Sequence, residues 1–108
     1  MKNIPIISKL WGKEYWLKNN RYCTKILHLN KGHQCSLHYH KDKDEIFFIH
    51  KGLVKMEVGK RSFRMHPGDF INILPGVRHR FYGIDDSVIL ESSTPHSESD
   101  SYRIEVSK

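Results

Sequence analysis

Turn-forming residues interrupt this 108-residue sequence every five to twelve positions, which leaves room only for short strands. Asn30-Lys31-Gly32 and Pro75-Gly76 are examples, and each follows a run rich in β-forming residues. Sustained helical periodicity is absent, so the pattern predicts an all-β sandwich or barrel. The predicted strands are 22–29, 35–40, 45–50, 53–58, 62–65, 70–74, 79–82, 87–91 and 102–106.

Three histidines and one glutamate stand where such strands would bring them together. His38 and His40 are two residues apart, so on a strand they point to the same face. Glu45 follows a short polar loop and begins the next strand, which returns beside the first. His79 comes directly after a turn, at the start of a later strand. Imidazole and carboxylate ligands together suit Mn, Fe, Co, Ni or Zn, so we predict one divalent metal ion held by these four residues.

Each of these residue types alone is more commonly a surface or hydrogen-bonded side chain than a metal ligand. The prediction of a metal site therefore depends on the spacing of the four residues together. The spacing is Gly32, five residues, His38, one residue, His40, four residues, Glu45, six residues and Gly52.

This spacing resembles the first motif of the cupins, and Gly68, Gly76 and His79 resemble the second. The sequence departs from the second motif at Leu74, where proline is usual, and at Gly83, where asparagine often stands. The resemblance implies a cupin fold, a jelly-roll barrel also called a double-stranded β-helix. It implies one cupin domain over residues 1–108, with metal motifs within 32–52 and 68–83. The metal ligands of cupins map onto His38, His40, Glu45 and His79.

Other segments resemble the cupin-type mannose-6-phosphate isomerases. Residues 9–14, Lys-Leu-Trp-Gly-Lys-Glu, are similar to the Lys-Pro-Trp-Gly-x-Glu segment of those enzymes. Further similarity is spread over 25–40, 73–80 and 91–103. The enzymes often have glutamine where His38 stands, which makes this metal site more basic. The resemblance implies a metal-dependent aldose–ketose isomerase that acts through an enediolate.

The same resemblance implies contacts to a sugar or sugar phosphate. Lys25 and Arg103 fall on matching positions of the family and are candidate substrate or phosphate contacts. Arg78 and Arg80 are further candidates for the phosphate. Lys25 and Glu91 are both candidates for the general base, because the sequence does not show which of them points into the barrel.

Two other readings of the metal motif remain. An iron-dependent dioxygenase would use the same ligands, and we expect its pocket to be largely apolar. A sugar-binding or sensing cupin would bind metal and sugar without turnover, which suits a chain with few residues to spare for catalysis.

The charge and hydropathy of the sequence exclude some classes of binding partner. The net charge is +6, but the basic residues are dispersed, so nucleic-acid binding is not predicted. No apolar run has the roughly 20 residues of a membrane helix, and no secretory signal is visible, which favours the cytoplasm. The family resemblance implies a homodimer, with an edge strand from the first twenty residues available for pairing. The serine-rich stretch 92–101 is either a linker or a loop over a site.

Overall fold

Two antiparallel sheets make up the computed structural model, which describes residues 3–108. A 3-10 turn at Glu98–Asp100 is the one helical element in this range, and no described helix is long and apolar enough to cross a membrane. The strands are β1 Ile6–Lys9, β2 Gly12–Asn19, β3 Cys23–Leu29, β4 Leu37–Tyr39, β5 Glu45–Lys51, β6 Val54–Val58, β7 Arg61–Met65, β8 Phe70–Ile73, β9 His79–Gly83, β10 Ser87–Ser93 and β11 Tyr102–Glu105.

One sheet has the strand order β1-β2-β3-β10-β5-β8 and the other the order β11-β4-β9-β6-β7. From β3 onward the chain crosses repeatedly between the two sheets, which is the jelly-roll arrangement. The prediction of an all-β jelly roll is therefore confirmed.

The N-terminal hairpin was missing from the predicted strands. β2 has eight residues and pairs with β3, while β1 forms the edge of the six-stranded sheet. Most residues of both strands are exposed or half-buried, so they carry little of the in–out alternation by which a strand is recognised. The homodimer that would use this edge stays a prediction.

Gly12 allows β2 to lie close to β3. A Cβ at this position would overlap the backbone carbonyl oxygen of His28, and the residue has a φ of 150°. Glycine is therefore required here for strand approach.

The interior is apolar at one end and polar at the other. Leu29, Ile49 and Ile89 fill the apolar end. At the opposite end the inward positions of neighbouring strands hold Lys25 and Glu91, which are direct partners across β3 and β10. Buried charges are rare unless they are paired, so this end is a candidate site.

Trp11 and both cysteines are packed in the interior. Trp11 is 3% exposed and meets Phe81 edge-to-face at 5.2 Å between ring centroids. Cys23 and Cys35 are free and buried, and the Cys35 sulfur accepts a hydrogen bond from the Phe81 N–H. All three side chains therefore contribute to the packing of the interior.

Candidate metal centre and pocket

The four predicted ligands come from three strands that meet at the polar end. His38 lies on β4 and is the register partner of His79 on β9. His40 follows β4 directly, and Glu45 begins β5 after the loop 41–44. The prediction that this strand returns beside the first is wrong, because β5 belongs to the other sheet, and Glu45 meets the histidines from the opposite sheet. Side-chain alternation and antiparallel pairing thus bring together residues 41 positions apart in the chain.

The side chains converge on one point. Ligand atoms of His38, His40 and His79 lie within 4.8 Å of one another. The Glu45 Oε2 atom is 3.2 Å from His79 Nε2 and 3.4 Å from His40 Nε2. His79 is fully buried and Glu45 is 2% exposed, so water does not compensate these polar atoms.

Backbone carbonyl groups orient all three imidazoles. His38 Nδ1 donates to the Ser36 carbonyl at 2.7 Å and His40 Nδ1 to the Asp100 carbonyl at 3.1 Å. His79 Nδ1 donates to the Val77 carbonyl at 2.9 Å. A carbonyl only accepts, so each Nδ1 carries a proton, and in the neutral imidazole the lone pair then lies on Nε2. Imidazoles held in this way present Nε2 as a metal ligand.

Two buried atoms of the cluster, Glu45 Oε2 and His79 Nε2, have no hydrogen-bond partner among the described residues. They face each other, and both are acceptors when His79 is neutral. Only a positive charge between them satisfies both, either a second proton on His79 or a metal ion. The donor set therefore fits a divalent metal.

The pKa values of the cluster favour protonation states that can bind a cation. Burial, together with the neighbouring His79, lowers the pKa of His38 to about 3, and burial also lowers the pKa of His40. Burial alone would raise the pKa of Glu45, but the close approach of the His79 imidazole and the charge of Lys43 lower it to about 2. At neutral pH both of these imidazoles are neutral and the carboxylate is ionised.

We expect the metal-free protein to lose stability on acidification from pH 7 to pH 5. The pKa of His38 falls from 6.5 in the unfolded chain to about 3 in the folded one. The unfolded state therefore binds more protons in this window, and each such group costs up to about 1.4 kcal/mol per pH unit. Urea unfolding of chelator-treated protein at both pH values measures the effect. His38→Gln should show a smaller decline than wild type, and equal declines would contradict the assignment.

A buried lysine joins the metal ligands to a second carboxylate. Lys43 Nζ lies 2.6 Å from Glu91 Oε2, 3.6 Å from Glu45 Oε1 and 3.0 Å from His96 Nδ1. Burial would lower the pKa of Lys43, but the two glutamates outweigh it and raise the pKa, so the ammonium stays charged. Lys43 is not among the predicted site residues, because it stands in the polar stretch Lys-Asp-Lys-Asp, which is typical of a solvated loop.

Lys25 and Glu91 both line the pocket, so either can face a ligand. Lys25 is 2% exposed, with Nζ 3.4 Å from Glu14 Oε1 and 4.2 Å from the Trp16 ring centroid. Arg103 is exposed on β11 opposite His38 and lines the rim.

Arg78 and Arg80 do not line the pocket, contrary to the expectation that they hold a phosphate. Arg78 is exposed elsewhere. Arg80 alternates with the inward-facing His79 and Phe81. Its guanidinium donates a hydrogen bond to the Cys35 carbonyl and forms an ion pair with Glu105.

The pocket has a cavity volume of about 90 Å³, enough for several water molecules or a small polar ligand. Carboxylates and lysines form much of its wall, so it differs from the apolar pocket expected of a dioxygenase. His96, Glu98 and Ser101 also line it. The stretch 92–101 therefore includes a loop over the pocket.

A jelly roll with three histidines converging from two neighbouring strands of one sheet defines the class of this protein. The chain belongs to the cupin domain family, whose model matches residues 25–90. Cupins commonly bind a metal, and the histidine cluster can hold one here. No curated protein matches the chain in sequence.

Solved structures share the fold. KdgF from Halomonas sp. has a TM-score of 0.75 and 17% identity, with 81% of each chain covered. CapF from Staphylococcus aureus, a capsular polysaccharide assembling protein, has a TM-score of 0.83 and 16% identity over 98% of this chain and 35% of its own. Oxalate decarboxylase from Bacillus subtilis has a TM-score of 0.79 and 16% identity over 94% of this chain and 30% of its own. The chain thus spans about a third of the last two proteins, and at these identities the likeness shows the fold alone.

Proposed function

We propose that this cupin binds one divalent metal ion through His38, His40, Glu45 and His79, and isomerises a small sugar or sugar phosphate in the adjoining pocket. The observation that carries the metal proposal is the convergence of carbonyl-oriented imidazoles on a buried carboxylate oxygen that lacks a hydrogen-bond partner. Mn, Fe, Co, Ni and Zn all suit these ligands. The choice of reaction is supported by the resemblance of short segments, residues 9–14 among them, to the mannose-6-phosphate isomerases.

Glu91 is the proposed general base. Its Oε2 accepts hydrogen bonds from Lys43 at 2.6 Å and from the Ser93 hydroxyl at 3.3 Å, which holds the carboxylate in place. The second oxygen, Oε1, is then available to take a proton from one sugar carbon and return it to the next. A divalent metal in the neighbouring site supplies Lewis acidity that polarises the substrate carbonyl.

Lys25 and Arg103 are the proposed substrate contacts. Lys25 is fixed inside the pocket by Glu14 and Trp16, so it suits a sugar oxygen. Arg103 stands at the rim, where a guanidinium can hold a phosphate without a large desolvation cost.

Glu91→Gln is expected to reduce isomerisation by about 10²- to 10⁴-fold, because the amide cannot accept the proton. Deuterium uptake from D₂O at C2 of hexose and pentose phosphates, followed by NMR, measures the reaction. Metal content should stay unchanged, since Glu91 is outside the proposed ligand set. Glu57→Gln, outside the pocket, is the matched control. Full activity of Glu91→Gln would exclude it as the base.

A non-catalytic metal- and sugar-binding cupin is the second candidate. The observation that favours it is that both candidate bases are already paired, Glu91 with Lys43 and Lys25 with Glu14. Saturable sugar binding by the metal-loaded protein, with no deuterium uptake for any sugar tested, would select this function over the isomerase.

A further inference from the structure

Segment 94–101 crosses the pocket between β10 and β11 and is fastened on both sides. Thr94 and Asp44 exchange two hydrogen bonds of 3.0 Å each. The Asn19 side chain accepts from the His96 N–H at 2.7 Å and donates to the His96 carbonyl at 3.0 Å. These bonds tie the segment to loop 41–44 on one side and to β2 on the other.

Asp100 makes the most extensive of these connections. Its carboxylate accepts hydrogen bonds from three successive backbone N–H groups, those of Lys41 (2.9 Å), Asp42 (3.2 Å) and Lys43 (3.1 Å). Its backbone carbonyl accepts from His40 Nδ1 at 3.1 Å. One residue thus holds both the loop that joins two candidate ligands and the imidazole of one of them.

We propose that Asp100 is a positioning residue of the metal centre, which couples closure of segment 94–101 over the pocket to the orientation of His40. The inference rests on the proposed metal site. The side chain keeps the segment on loop 41–44, and only in that position does the Asp100 carbonyl reach the imidazole. When the segment lifts, His40 loses the acceptor that keeps its proton on Nδ1 and its lone pair on Nε2.

The coupling is reciprocal by thermodynamic necessity. A metal ion that binds best to the oriented imidazole favours the closed segment, and a closed segment strengthens metal binding. Partners that orient a ligating histidine typically contribute about 10- to 100-fold in metal affinity. The same linkage predicts that metal loading slows amide exchange in the segment.

The test compares full-length wild type, Asp100→Ala, Asp100→Asn and the exposed control Asp85→Ala. Zn²⁺ and Mn²⁺ affinities are measured by competition with a chromogenic chelator. Amide hydrogen exchange over 94–101 is measured with and without metal. We expect Asp100→Ala to weaken binding by about 10- to 100-fold and to abolish the metal-dependent protection. Asp100→Asn keeps one acceptor oxygen and should fall between, while Asp85→Ala should match wild type.

The outcomes separate the two proposals. Failure of wild type to bind either metal would overturn the metal site and the positioning role together. Normal affinity in Asp100→Ala, or exchange in wild type that metal does not alter, would overturn the positioning role alone. If Asp100→Ala does not fold, Asp100→Asn decides, because wild-type affinity and protection in that variant would contradict the dependence on the charged carboxylate.

Discussion

His79→Ala is expected to abolish stoichiometric metal binding. The loss in metal affinity should exceed the roughly 100-fold that is lost when a residue hydrogen-bonded to a metal ligand is removed. His79 is the most deeply buried of the candidate ligands, and its Nε2 faces Glu45 Oε2 at 3.2 Å. Removing the imidazole takes away one ligand and leaves the carboxylate opposite a cavity. Elemental analysis of protein purified without added metal, and again after reconstitution, should give about one ion per wild-type chain and none in the variant.

The exposed His50 provides a matched control, because His50→Ala removes an imidazole away from the cluster. His79→Gln repeats the test with less change in volume. Retention of one ion per chain by folded His79→Ala would contradict the proposed ligand set. Stoichiometric iron in wild type, accompanied by oxygen consumption, would favour the dioxygenase over the isomerase.

Lys43→Met is expected to lower the free energy of unfolding of the metal-free protein by about 3–5 kcal/mol, the usual cost of removing one partner from a buried ion pair. The Lys43 side chain is 2% exposed, and its ammonium lies next to two buried carboxylates, Glu45 and Glu91. Methionine of similar length leaves those charges uncompensated. Urea unfolding monitored by circular dichroism measures the loss, which should be smaller with metal bound because the ion offsets the charge of Glu45.

Two further variants isolate the charge effect. Lys43→Met combined with Glu91→Leu removes both ends of the 2.6 Å pair and should recover most of the lost stability. The exposed Lys55→Met should change stability by less than about 0.5 kcal/mol. An unstable double variant, or a stable Lys43→Met, would show that the pair is not the source of the effect.

The sequence by itself determined the sheet-rich fold class, the cupin resemblance and the four candidate ligands. His38 and His40 share a face because side chains alternate along a strand. The relation between His38 and His40 is local, so residue identity and spacing were sufficient to predict it. Glu45 was found through the spacing of the motif, but its position depends on tertiary structure, because β5 belongs to the sheet opposite β4. His79 was found through its motif, and the pairing of β4 with β9 explains its position.

The tertiary structure alone decided which other polar residues surround the site. Lys43 stands in a stretch typical of a solvated loop, yet it is buried because Glu91 and His96, 48 and 53 residues away, meet its ammonium. Asp100 is similarly 59 residues from the loop it caps. The alternation of side chains along a strand also does not predict that Lys25 faces inward or that Arg80 does not line the pocket. Period-two patterning shows which residues share a face, but only packing of the two sheets determines which face becomes the interior.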